Sequence, residues 1–187
     1  MPDARLEDSG SGLAPASEGW FVVNVRDAEW LTSEGGEKRP SGAECAFETE
    51  ANWSRELGIR LHVLGPGEPN GLYHSESHDE AFLVLAGECT LLVDGEERRL
   101  RQWDYFHCPP GTRHVLVGAG DGPCAIFMAG VRGDTKIRYP VSELASRYGA
   151  GAAQELDDPR QAYADFAPSR RGRPSSWGRL PWARPGG

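Results

Sequence analysis

The sequence predicts an all-β protein, a sandwich or barrel of short strands, and three observations carry that prediction. Apolar runs recur at close, regular spacing from residue 59 to residue 129, each bounded by Gly, Pro or an Asp-Gly pair. Several runs alternate apolar and polar residues, the period of a chain whose neighbouring side chains point to opposite faces. Helical signals are confined to the region after residue 140.

Taken in order, the first strand is read at residues 59–63, where Ile59, Leu61 and Val63 alternate with Arg60 and His62. Gly-Pro-Gly-Glu-Pro then forces a turn. Strands at 82–86 and 89–93 follow, separated by Gly87, and Asp94-Gly95 is the strongest short-range signal for a hairpin into 96–101. Further strands are expected at 103–107, 113–117 and 124–129. The run Gly118-Ala-Gly-Asp-Gly122 precedes a strand and reads as a turn, since it lacks the context of a phosphate loop. Ser142 is a plausible N-cap for a helix ending at Gly149, and Asp158-Pro159 opens a second running to about Phe166.

The 187 residues suit one domain, with a formal charge of −8 from 20 basic and 28 acidic residues. Such an acidic surface argues against a general nucleic-acid binder. No apolar run approaches the ~20 residues of a membrane span, and the N-terminus lacks the basic-then-apolar order of a secretory signal. A soluble cytoplasmic protein is expected. Cys45, Cys89, Cys108 and Cys124 form no Cys-x-x-Cys pair, so buried free thiols are expected rather than a zinc ribbon or redox motif.

Residues 1–18 are Ser, Gly, Ala and acids with little to bury, and are expected to be unstructured, with order beginning near Trp20. A barrel is assigned to 19–133 and a helical extension to 134–167. The tail, 168–187, holds five Arg and no acid, against a charge of −13 on the rest of the chain. Self-docking through Trp177, Leu180, Pro181 and Trp182 fits that asymmetry, with a nucleic-acid-binding arm as the other reading.

Chemistry concentrates between Gly71 and Gly87, where His74, Glu76, His78 and Glu80 occupy every second position. On an extended chain they share a face and could converge on one ion. His114, in Cys-Pro-Pro-Gly-Thr-Arg-His, is a fifth candidate. His107, before Cys108-Pro109, is a second-rank acid or base. His62 reads as surface, and Tyr73 and Trp103 as pocket or core.

This arrangement resembles the cupin superfamily. Its first motif, Gly, five residues, His-x-His, three or four residues, Glu, six residues, Gly, is matched by His74, Glu80 and Gly87, and its second by Pro109-x-Gly111-x-x-His114. Glu76 stands where the family has its second His. Gly67 is displaced by one residue from the leading Gly, and Trp103 and Gly118 replace the Gly and Asn that flank the second motif. The resemblance implies a jelly-roll β-barrel, here with one or two short C-terminal helices, and a homodimer. It also implies a divalent ion, Zn, Fe, Mn or Ni, on His74, Glu80 and His114, completed by Glu76, His78 or water, of which Glu76 shares the position and facing of the missing His. The function so implied is dioxygenase, isomerase or lyase chemistry on a small polar molecule. The alternative is a non-catalytic cup for a sugar or carboxylate.

Overall fold

Strand-forming runs in the chain pair into two facing sheets, and the computed structural model describes residues 1–33 and 42–183. In chain order the strands are β1 (Leu6–Asp8), β2 (Leu13–Pro15), β3 (Leu31–Ser33), β4 (Gly42–Cys45), β5 (Leu57–Leu64), β6 (Ser75–Glu76), β7 (Glu80–Ala86), β8 (Glu88–Val93) and β9 (Glu96–Arg101). They continue as β10 (Tyr105–Cys108), β11 (His114–Ala119), β12 (Cys124–Val131), β13 (Ile137–Arg138) and β14 (Arg170–Arg171), with helices α1 (Glu143–Arg147) and α2 (Pro159–Ala162) before β14. One sheet runs β10-β7-β12-β5-β4-β3-β14 and the other β11-β8-β9, with β6 and β13 forming a short ladder of their own. All named pairings in these sheets are antiparallel. This is a jelly-roll, all-β architecture.

The hairpin at Asp94-Gly95 forms as expected, with φ of +47° and +86° at the two turn residues and Val93 paired with Glu96. These positive values suit a tight turn matched to strand twist. Gly87 has φ +71°, and a side chain there would sit 2.4 Å from the Pro123 carbonyl oxygen, so the position requires glycine. Ser142 caps α1 by accepting from the Ala145 amide, and Asp158 caps α2 by accepting from the Arg160 amide. The first helix runs from its Ser142 cap to the Gly149 stop as expected, whereas α2 ends at Ala162, short of the Phe166 the sequence suggested. The strand expected at 103–107 starts two residues later, because Trp103 takes φ +75° in the preceding turn and is 67% exposed.

Two apolar layers flank the large sheet. Between the sheets lie Leu64, Phe82, Val84, Leu91, Leu116 and Ile126. On the outer face of the large sheet, Leu61, Val63, Ala43 and Cys45 pack against Trp30 and Leu180. The alternation of β5 therefore points opposite to the simple expectation. Leu61 and Val63 face outward under a second layer, while Arg60, His62 and Leu64 face the space between the sheets.

The chain ends build that second layer. Residues 1–18, expected to be unstructured, instead form the β1–β2 hairpin, tied by the Ala4 amide donating to the Trp20 carbonyl, the Trp20 amide donating to the Pro2 carbonyl and the Ser11 hydroxyl donating to the Trp30 carbonyl. Backbone pairing, which composition does not reveal, holds this segment. Trp20 itself is 56% exposed and does not begin the core.

The tail docks on the chain, as its charge and aromatics suggested. Arg170 and Arg171 pair with Thr32 and Leu31, Arg171 meets Glu29 at 3.0 Å, and Arg173 lies over the Trp177 ring. Trp177 meets the buried Trp30 edge-on at 5.5 Å and Trp182 stacks on it at 5.8 Å, while Leu180 is buried and Pro181 exposed. Residues 184–187 lie outside the described residues. All four cysteines are free and buried.

Candidate metal centre

Three of the sequence candidates converge. Ligand atoms of His74, Glu80 and His114 all lie within 4.8 Å of one another. Glu80 opens β7 on the same face as Phe82 and Val84, so the period of the strand turns its carboxylate inward. His114 opens β11, where every residue from 114 to 118 is buried. His74 is locked to it by reciprocal amide hydrogen bonds, His74 N to His114 O at 3.1 Å and His114 N to His74 O at 2.7 Å. Their ring centroids are 4.7 Å apart.

The protonation of both rings follows from their neighbours. His74 Nδ1 lies 2.7 Å from the Leu72 carbonyl oxygen, and His114 Nδ1 lies 3.1 Å from that of Thr112. A carbonyl only accepts, so each Nδ1 carries the hydrogen and each Nε2 presents a lone pair. Burial lowers the pKa of His74, and burial followed by the nearby His74 lowers that of His114 to about 3. Phe82 and Phe106 wedge the His114 ring at 5.2 and 5.9 Å.

His114 Nε2 and Glu80 Oε2 are 3.4 Å apart and buried, and neither has a hydrogen-bond partner. Such orphaned atoms are costly in a protein interior. Burial first, then the Glu76 charge, raises the Glu80 pKa to about 8. Two imidazole lone pairs and a carboxylate form a donor set suited to a divalent transition metal, with backbone carbonyls anchoring the far side of each ring.

The remaining candidates separate. Glu76 stands outside the close group, its Oε1 4.0 Å from His74 Nε2, and burial raises its pKa. The Gly111 amide donates to its carbonyl, which docks the Pro-Pro-Gly turn against β6. His78 turns away, its Nδ1 3.2 Å from the hydroxyls of Ser77 and Thr135. His107 is exposed beside Asp79, 4.0 Å away, and Tyr73 is buried against α1, its hydroxyl accepting from Gly95 N.

A cavity of about 540 Å³ opens over His74 and Glu76. Its other walls carry Glu44, Arg60 and His62 on β4 and β5, and Tyr139, Tyr163 and Phe166 from the C-terminal extension, none of which the sequence placed at the site. His62 lies in this cavity rather than at the surface, and burial lowers its pKa to about 4. The signal is the polar half of β5, which faces the cavity rather than solvent. Tyr139 is buried with its ring 5.8 Å from that of His74, and burial raises its pKa.

A two-sheet antiparallel barrel carrying a His-Glu-His group between its sheets is a jelly-roll architecture with a candidate metal centre. Residues 60–130 match the Cupin domain family, and the chain carries a cupin domain there. A sugar phosphate isomerase from a cupin superfamily of Silicibacter pomeroyi is 19% identical, with a TM-score of 0.54 over 65% of this chain and 83% of that one. That likeness shows the fold. A predicted oxalate decarboxylase from Thermotoga maritima is 15% identical over 56% of this chain and 91% of that one, TM-score 0.47. A protein ascribed sugar phosphate isomerase activity, from Acidithiobacillus ferrooxidans, is 23% identical over 52% of this chain, TM-score 0.47, and this chain spans 63% of its length, under two thirds. No curated protein matches the sequence. Among the described residues no helix is long and apolar enough to cross a membrane.

Proposed function

We propose that the chain is a divalent-metal cupin acting on a small polar molecule in the adjoining cavity, through oxygenase, isomerase or lyase chemistry. The observation that carries this reading is the buried, unpartnered pair of His114 Nε2 and Glu80 Oε2. His74, Glu80 and His114 would hold Zn, Fe, Mn or Ni, with Glu76 completing the set from the cavity side. When bound, the ion supplies a Lewis acid and open positions for substrate oxygens.

The protein's own groups do the rest. Leu72 and Thr112 hold the imidazoles as neutral Nδ1–H tautomers, and Glu80 offsets one charge. Glu76 lines the cavity wall, where its carboxylate would offset the second charge of the ion. The apolar environment behind the cluster keeps bulk water away.

A second reading, a metal-free binding cup, draws support from the raised pKa of Glu80, since a proton there relieves the clash with His114 near neutral pH. Elemental analysis of the purified full chain, before and after dialysis against micromolar Zn, Mn, Fe and Ni, decides between them. One equivalent of metal, lost in His114→Ala, supports the first. No metal in any sample supports the second.

The buried free cysteines fit a reducing compartment, and we place the chain in the cytoplasm. The homodimer implied by the family resemblance is checked by sedimentation equilibrium.

A further inference from the structure

The wall of the cavity formed by β4 and β5 has a chemistry of its own. Arg60 Nη1 and Glu44 Oε2 pair at 2.7 Å, and cross-strand pairing places His62 beside Glu44. Both charged side chains keep partial access to the open space, at 38% and 26% exposure. The guanidinium therefore has N–H donors left over and the carboxylate has acceptor lone pairs left over. A donor and an acceptor held side by side fit a hydroxyl group, which both donates and accepts.

The same pairing disfavours an anion. Arg60 is the one Lys or Arg lining the cavity among the described residues, and Glu44 already cancels its charge. A phosphate or carboxylate brought to the Glu44–Arg60 pair meets no net positive charge from it and lies beside a fixed negative one. An adjoining wall is aromatic, with the rings of Tyr163 and Phe166 4.9 Å apart. Such rings cover the C–H face of a ligand rather than its polar edge. The cavity volume of about 540 Å³ lies within the usual span for small-molecule sites.

We propose that this wall recognises an uncharged polyhydroxylated ring, a neutral sugar or cyclic polyol, with its hydroxyl edge on the Glu44–Arg60 pair and its C–H face on Tyr163 and Phe166. The ring's far side reaches His74 and Glu76. The assignment rests on reading this cavity as the ligand site of the metal centre.

The test is calorimetric titration of the metal-supplemented full chain with glucose, xylose and myo-inositol, then with glucose 6-phosphate and gluconate. At least one neutral probe is expected to bind at one site per chain, about tenfold or more tighter than either anionic probe. Glu44→Gln and Arg60→Met are each expected to weaken it about tenfold or more, with metal content and melting temperature unchanged. If Arg60→Met fails to fold, the near-isosteric Glu44→Gln still decides the matter. Tighter binding of glucose 6-phosphate than of glucose overturns the proposal, as does an unchanged affinity in Glu44→Gln or failure of every neutral probe. Metal content measured on each sample keeps the two readings apart: metal bound without sugar binding sinks this inference alone, and sugar binding without metal sinks the metal centre alone.

Discussion

At the scale of single residues, His114 and Glu80 are chemically the most exposed to test. Glu80 has its pKa raised from 4.5 to about 8 in the folded chain, so between those values the folded state holds a proton that the unfolded state has released. Its contribution to stability is complete below pH 4.5 and is lost as pH rises through 8. His114, lowered from 6.5 to about 3, does the reverse: its contribution is complete above pH 6.5 and is lost as pH falls through 3. The two offset each other between 4.5 and 6.5. The metal-free protein should therefore lose stability from pH 6.5 to 8, at no more than ~1.4 kcal/mol per pH unit, and Glu80→Gln should flatten that decline in urea titrations. Glu76 is tested differently. Glu76→Ala should leave metal bound but about 10–100-fold more weakly, whereas His74→Ala and His114→Ala should abolish micromolar binding in a competition assay with a chromophoric chelator. Much of this site was legible, because motif spacing marked His74, Glu80 and His114, while the choice between Glu76 and His78 stayed open until the fold turned His78 toward Ser77 and Thr135. His62, Glu44 and Arg60 were not, since alternation shows that two faces differ without showing which one is the interior.

At the scale of elements, the departures from the family motif acquire physical reasons. Gly118 stands where the second motif has Asn, and a side chain there would meet the Gly65 carbonyl oxygen at 2.1 Å. The 65–68 turn lies against this position, with Gly67 N donating to Gly118 O and Gly118 N to Glu68 O. Gly118→Ala should force the turn away from β11 and destabilise the fold by more than ~1 kcal/mol, measured by thermal melting. The α1 cap offers a milder case. Ser142→Ala removes the acceptor for the Ala145 amide and should cost about 1 kcal/mol, read from urea denaturation midpoints. The hairpins and both helix starts were legible because Asp-Gly, Ser and Asp-Pro dictate local backbone geometry. The β1–β2 hairpin was not, because it is held by partners distant in sequence, the carbonyls of Trp20 and Trp30, which local composition does not reveal.

At the scale of the whole molecule, the tail is a structural part of the barrel, with β14 at the edge of the large sheet. Leu61 and Val63 face away from the cavity, and Trp30, Trp177, Leu180 and Trp182 cover them. Leu180→Ala should cost about 2–5 kcal/mol, and removal of residues 168–187 should expose the outer face of β5, seen as increased binding of a hydrophobic dye at temperatures where the full chain binds little. Unchanged dye binding and melting temperature in the truncated chain would refute this role for the tail. The acidic body and basic tail were visible in the sequence as a charge imbalance. The surface that receives the tail was not, because the apolar half of β5 had been spent on the interior.

The pairing of β14 with β3 has a consequence in time. During synthesis Leu61 is made well over a hundred residues before Leu180, and at roughly 5–20 residues per second that interval is on the order of ten seconds. Throughout it, the outer face of β5 lacks the last segment that shelters it. A nascent chain should depend most on chaperone protection in this window, and slow translation of the codons for residues 168–187 should lower soluble yield more than slow translation of any equal stretch upstream.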